Sequence, residues 1–393
     1  MDSTSIPSNC ALCDKPIAVV GDSDEHIIPN SIGGRRKIRG FICKSCNSKT
    51  GDGWDAELWR QFQHIALMHG IERDRGDVPA IPVQTGSGKQ LMLLPDGSLM
   101  PRRITFEKVL NPDGNGFLIN ATVRTADEAE DMIKNLAAKH PEIDVEAVLS
   151  GVQPKSEFLD SPLSFGAVFG GPLGGRSMVK TAVALAAQAG IRASVCNLAL
   201  PYLLDQCSDA PYGLFYTRDL VSERPESYTP HIVSVRGDPT SGYLWGYVEY
   251  FGLARIVVPL GDRYQGAAFA STYALNPANG KEIDIRVDLF FSDDEILQIK
   301  SNHAYTDAQY AAVLHSSFGI VYYRSVRRVV RMAFADAAAH AASTLGIAYG
   351  EEIPREHAVA FAQHLTEKFQ PLVVHMAMSG IPIAEAMRIT DDD

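Results

Sequence analysis

Cys10-Ala11-Leu12-Cys13, Asp24-Glu25-His26-Ile27-Ile28-Pro29, Gly33-Gly34 and Cys43-Lys44-Ser45-Cys46-Asn47, in this order, decide the fold at the start of the chain. Two Cys-x-x-Cys pairs within one small module have the spacing of a tetrahedral zinc site. Cys10, Cys13, Cys43 and Cys46 are therefore expected to hold one structural Zn²⁺. His26 is not needed for that ion and calls for another role. A strand over Glu25 to Ile28 should end at Pro29, which cannot continue a ladder. Gly33-Gly34 should turn the chain, Gly40 to Cys43 should return as a second strand, and a helix should run from Asn47 through Trp59. The expected unit is a zinc-clamped ββα module.

Working outward, charge singles out the same segment. The 393 residues carry a net charge of −11, which excludes a surface that is basic throughout. Between Glu25 and Thr50, however, Arg35, Arg36, Lys37, Arg39, Lys44 and Lys49 face Glu25 as the one acid. A basic cluster beside a metal module is the electrostatic footprint of phosphate contact, so these six residues are expected to bind nucleic acid. No stretch approaches the roughly 20 apolar residues of a membrane helix, and Met1-Asp2-Ser3 does not begin a signal peptide. Outside the two pairs only Cys196 and Cys207 remain, which is no disulfide framework and fits a reducing, cytoplasmic setting.

The combined pattern of Cys-x-x-Cys, Glu-His-Ile-Ile-Pro, Gly-Gly and Cys-x-x-Cys-Asn resembles the HNH endonuclease family over about residues 10 to 60. The resemblance implies a ββα-metal fold and hydrolysis of DNA phosphodiester bonds. It places the general base on His26 and a catalytic divalent ion on Glu25 and Asn47. The residues support these roles on chemical grounds. Histidine has the intrinsic pKa of a base near neutrality, and oxygen donors suit Mg²⁺ or Mn²⁺ whereas four thiolates suit Zn²⁺. Two departures stand out. Where many members have an asparagine that orients the histidine ring, this chain reads Lys37-Ile38-Arg39, and the last position is Asn47 rather than histidine. Asp52 and Asp55 are candidates for a further carboxylate.

The remaining chain reads as α+β, with segregated strands and helices and a mostly helical C-terminus. Expected boundaries are 1–75 for the nuclease module, 76–292 for a mixed recognition or sensor region, and 293–393 for a helical part packed on it. Strands are expected at Leu163 to Phe169, Tyr243 to Tyr250, Ala254 to Leu260 and Glu282 to Phe291, and helices from Thr125, Ser177 and Ser292. Gly170-Gly171-Pro172-Leu173-Gly174-Gly175-Arg176-Ser177 nearly spells a phosphate loop, but arginine replaces its lysine. Arg176, Ser177 and Lys180 at that helix start form a candidate phosphate or ligand site. Arg324, Arg327, Arg328 and Arg331 share one helical face. The other histidines show no ligand spacing and read as structural or surface residues.

The sequence thus points to an HNH-type endonuclease with DNA as partner and no membrane association. Nuclease-first order and length match anti-phage effectors that join such a module to a cyclic-nucleotide sensor, and modified-base restriction nucleases also pair such modules with reader domains. Cutting both strands with one site per chain favours a homodimer. The competing reading is a zinc-containing DNA-binding regulator without catalysis.

Overall fold

The computed structural model describes residues 9–74, 76–110, 117–152, 157–164, 166, 168–348, 350–382 and 384. After a single helical turn, α1 (Ile17–Val20), the short strands β1 (Glu25–His26) and β2 (Lys37–Ile38) pair antiparallel, Glu25 opposite Ile38 and His26 opposite Lys37. The second strand therefore lies before the expected Gly40 to Cys43. Gly40, at φ +73°, turns the chain out of the ladder, and Cys43 bridges to Asp22 instead. The following helix begins at Lys44, ahead of the expected Asn47. It runs as α2 (Lys44–Thr50), a π-helical segment (Gly51–Asp55) and α3 (Ala56–His69). Gly70 closes it in the left-handed conformation at φ +69°.

Next come β3 (Ile81–Thr85), β4 (Gln90–Leu93) and β5 (Leu99–Pro101), the paired β6 (Thr105–Leu110) and β7 (Phe117–Thr122), and helices α4 (Ala126–Ala137) and α5 (Val145–Ser150). Thr125 caps α4 by accepting from the Glu128 N–H. Of the strand expected at Leu163 to Phe169, the described residues show β8 (Leu163–Ser164), on the edge of the β5-β4-β3-β8 sheet.

Helix α6 (Gly171–Gln188) is buried along most of its length. It is followed by α7 (Ala199–Leu203), β9 (Gly213–Leu214), β10 (Val221–Ser222), β11 (His231–Asp238), β12 (Tyr243–Tyr250), β13 (Ala254–Gly261) and β14 (Phe269–Leu275). Of these, β9, β11, β12, β13 and β14 build a five-stranded antiparallel sheet in the order β14-β11-β12-β13-β9. Side chains alternate across it as the two-residue period requires. Val233, Val235, Val248, Tyr250, Ile256, Val258 and Leu260 join the core under α6, while Ile232, Trp245, Tyr247 and Val257 join a second core on the opposite face. Both faces are covered, so β12 and β13 read as almost continuously apolar. The chain ends with β15 (Arg286–Val287), a remnant of the strand expected from Glu282 to Phe291, and with α8 (Asp293–Lys300), α9 (Asp307–Thr344) and α10 (Ala358–Met378). No helix among the described residues is long and apolar enough to cross a membrane.

The N-terminal module does not hang free. Its Ile27, Ile28, Ile32, Leu58, Phe62 and Leu67 belong to the same continuous core as α6 and the large sheet. Phe62 stacks on Phe169 at 4.6 Å, and Gln61 exchanges two hydrogen bonds with the Gly170 backbone, 2.8 and 2.9 Å long. His231 fixes the loop after β1. Its Nε2 donates to the Ile32 carbonyl at 2.7 Å, and its Nδ1 accepts from the Phe251 N–H at 3.1 Å. From α9, Arg328 reaches the Leu67 carbonyl at 2.9 Å, which ties one residue of the arginine face to α3.

Candidate active site

The four cysteines come together as their spacing predicts. All four Sγ atoms lie within 4.8 Å of one another, and no other such group of metal-binding side chains occurs among the described residues. Thiolates held about 2.3 Å from one tetrahedral ion lie about 3.8 Å apart, and Cys13 and Cys43 are 3.8 Å apart. The donor set and its geometry fit Zn²⁺. Cys43 N–H also donates to the Cys10 sulfur at 3.3 Å. Burial opposes the Cys43 thiolate, but hydrogen bonds from the Cys46 backbone and the other three thiols bring it down to about 7.

That clamp sets the ends of a loop whose shape presents His26. Pro29 leads into a 3₁₀ turn (Asn30–Ile32), and Gly33 follows at φ +103°. Gly34 is required by space: a Cβ there would lie 1.8 Å from the Ile28 carbonyl oxygen. With the loop so closed, Ile27 and Ile28 are fully buried and His26 stands at the wall of a cleft. Glu25, Asn47, Asp55, Trp59 and Arg73 line the same cleft.

Residues 10–63 match the HNH endonuclease family model. No curated protein and no solved structure matches the chain. The HNH module carries its histidine, acid and asparagine on one cleft, as the resemblance implies. Lys37-Ile38, where the family pattern has a ring-orienting asparagine nearby, is β2, and the hydrogen bond to the His26 ring comes from outside it. Asp74, beyond α3, contacts the ring: its Oδ2 lies 3.2 Å from His26 Nε2. Asp74 is anchored in turn by its own N–H, which donates to Asn30 Oδ1 at 2.8 Å. Burial, and then the Lys37 charge, hold the His26 pKa below the ordinary histidine value, against the pull of Asp74. Burial works against the Asp74 carboxylate, but Lys37 and His26 keep it below the usual range.

The basic cluster is spread over acidic partners. Arg35 and Lys37 pair with Asp74 at 2.9 and 3.3 Å, Arg36 pairs with Glu282, and Arg39 pairs with Asp22 and Asp24 at 3.2 and 3.4 Å. Lys44 and Lys49 lie on α2. A cation that sequence reading missed is Arg73. Its guanidinium lies 4.4 Å from the Trp59 ring centre, and its buried Nε has no hydrogen-bond partner among the described residues.

The second candidate site divides. Its glycines do not form a loop, since α6 is already helical from Gly171. Arg176 donates to the Pro172 and Tyr202 carbonyls and pairs with Asp205 at 2.6 Å. Ser177 and Lys180 are fully buried, so neither can meet a phosphate from solvent. Both turn toward the HNH module instead. Lys180 Nζ lies 2.5 Å from Glu25 Oε1 and 2.7 Å from Asp55 Oδ2, and Ser177 Oγ donates to Asp55 Oδ1 at 2.5 Å. Burial alone would lower the lysine pKa, but the Asp55 and Glu25 carboxylates hold it above the ordinary value. For Glu25, burial raises the pKa and Lys180 counteracts it.

Proposed function

We propose that the chain is a metal-dependent endonuclease that hydrolyses DNA phosphodiester bonds at the cleft of its HNH module. The observation that carries this reading is the meeting of His26, Glu25 and Asn47 on one cleft, with His26 held by Asp74. A hydrogen bond from Nε2–H to Asp74 leaves Nδ1 as the unprotonated nitrogen, the tautomer a general base needs. The lowered pKa keeps that base neutral at neutral pH. Glu25 and Asn47 supply hard oxygen donors that fit Mg²⁺ or Mn²⁺. A bound divalent ion neutralises charge on the phosphate and the leaving oxygen. Arg73, a cleft cation with no acidic partner among the described residues, faces the substrate phosphate in this reading.

Residues 76–292 and 293–393 serve recognition or regulation in this proposal, in an anti-phage setting with a cyclic-nucleotide or modified-base ligand. A reducing cytoplasm keeps the four thiols available for zinc. A homodimer along α9 and α10, supported by the exposed Tyr322, Met332, Phe334 and Met378, supplies two sites for the two strands.

The test is plasmid incubated with Mg²⁺ or Mn²⁺, with and without cyclic oligonucleotides, and with base-modified DNA. His26→Ala should lower the cleavage rate about 10²- to 10⁴-fold while zinc content and DNA affinity hold. Cleavage by His26→Ala at the parent rate would remove this histidine from the mechanism and favour the DNA-binding regulator.

A further inference from the structure

We infer that Lys180 and Ser177 of α6 are positioning residues of the nuclease site: they hold Glu25 and its neighbour Asp55 from behind, so that Glu25 meets a divalent cation in one fixed orientation. The inference rests on the reading of Glu25 as a metal ligand.

Three observations carry it. First, the direction of approach: Glu25 and Asp55 line the cleft, whereas Lys180 and Ser177 are fully buried and lie beneath it. The ammonium therefore does not occupy the space a cation from solvent would enter. Second, the use of oxygens: Asp55 engages Ser177 through Oδ1 and Lys180 through Oδ2, while Glu25 engages Lys180 through Oε1. Asp55 thus turns both oxygens toward α6 and acts in this inference as a strut, with Glu25 as the cation ligand. Third, charge: two carboxylates and one ammonium leave one net negative charge at the cleft wall. Without Lys180 the two acids would repel each other in a site largely closed to water.

This arrangement makes the HNH module dependent on the rest of the chain. Helix α6 is set by the large sheet, where a Cβ on Gly246 of β12 would come within 3.0 Å of Ala182. The position of Lys180, and through it of Glu25, is thus referred to a framework outside residues 10–63. Partners of this kind behind a metal ligand typically contribute about 10- to 100-fold to metal affinity.

The experiment is Mn²⁺ titration of the full-length, zinc-loaded protein, followed by calorimetry, for the parent and for Lys180→Met, Lys180→Gln and Ser177→Ala. Lys180→Met should weaken Mn²⁺ binding at least about tenfold, with Lys180→Gln and Ser177→Ala weakened less and zinc stoichiometry unchanged in all. Cleavage by the variants should require more Mn²⁺ for half-maximal rate but recover toward the parent rate at saturation, which general structural damage would not allow. A folded Lys180→Met that binds Mn²⁺ as well as the parent, or more tightly, would overturn the inference. Tighter binding would mean that the ammonium competes with the cation for Glu25. If Lys180→Met fails to fold, unchanged Mn²⁺ affinity in the two milder variants overturns it equally. A parent that binds no Mn²⁺ would overturn the metal-site reading and this inference together, whereas equal binding by parent and variants would overturn this inference alone.

Discussion

Acidification should loosen the seat of the nuclease module through one buried histidine. His231 has no exposed surface, and both ring nitrogens are committed. Nε2–H donates to the Ile32 carbonyl and Nδ1 accepts from the Phe251 N–H. A second proton would have to sit on Nδ1, where it would meet another donor. Burial accordingly lowers the pKa from 6.5 to about 4. Between these two values the unfolded chain binds the proton and the folded chain does not, so the stabilisation is intact above pH 6.5 and falls as pH drops toward 4. Each unit corresponds to about 1.4 kcal/mol. The single-site linkage gives a loss of about 2 kcal/mol between pH 8 and pH 5, rising to about 3 kcal/mol below pH 4. The assay is urea unfolding of the parent and of His231→Gln at pH 8 and at pH 5. Glutamine can still donate to Ile32 but does not titrate. The variant should start less stable and lose about 2 kcal/mol less than the parent on acidification. Equal losses in the two proteins would show that His231 is not held neutral by this pair of hydrogen bonds.

Other outcomes follow from the same geometry. Elemental analysis should find one zinc per chain, and Cys43→Ser should lose it and lower the unfolding midpoint of the whole protein, because the module shares its core with α6 and the large sheet. Protein purified without chelator and found free of zinc would refute the four-thiolate site. Substituting Arg35, Arg36 and Lys37 together by alanine should weaken DNA binding and flatten its salt dependence, by about one unit of slope for each phosphate no longer neutralised. An unchanged slope would mean that Asp74 and Glu282 keep these side chains occupied when DNA is bound.

Much of the module is legible in the sequence because its determinants are local. The cysteine spacing, Pro29, the Gly33-Gly34 turn and the helix after Cys46 all act within a few residues of themselves. The strands of the large sheet are legible too, because β12 and β13 are long and apolar. What cannot be read depends on groups far apart in sequence. Asp74 carries no motif, and its bond to His26 exists only because α3 brings the chain back past β1. Lys180 reads in sequence as a phosphate ligand, since lysine near a glycine-rich helix start suggests an anion. It is instead matched to two carboxylates more than a hundred residues earlier. The second strand falls earlier than expected because Gly40-Phe41-Ile42 has strand composition, whereas Phe41 and Ile42 are buried outside the ladder.

The π-helical stretch between α2 and α3 sets the relative phase of the two halves of one long helix. The half before it is indexed by Cys43 and Cys46 at the metal, and carries Asn47; the half after it is indexed by Leu58, Phe62 and Ile65 in the core. A π turn takes up about one residue more per cycle than an α turn for nearly the same total rotation, so the two halves stay in phase across it. Removing one residue from Gly51–Asp55 would let the helix close as regular α with Asn47 still turned toward Glu25, whereas removing a second would rotate Asn47 by about 100°. Length in this stretch is therefore a coordinate of the candidate site, as much as the identity of any side chain in it.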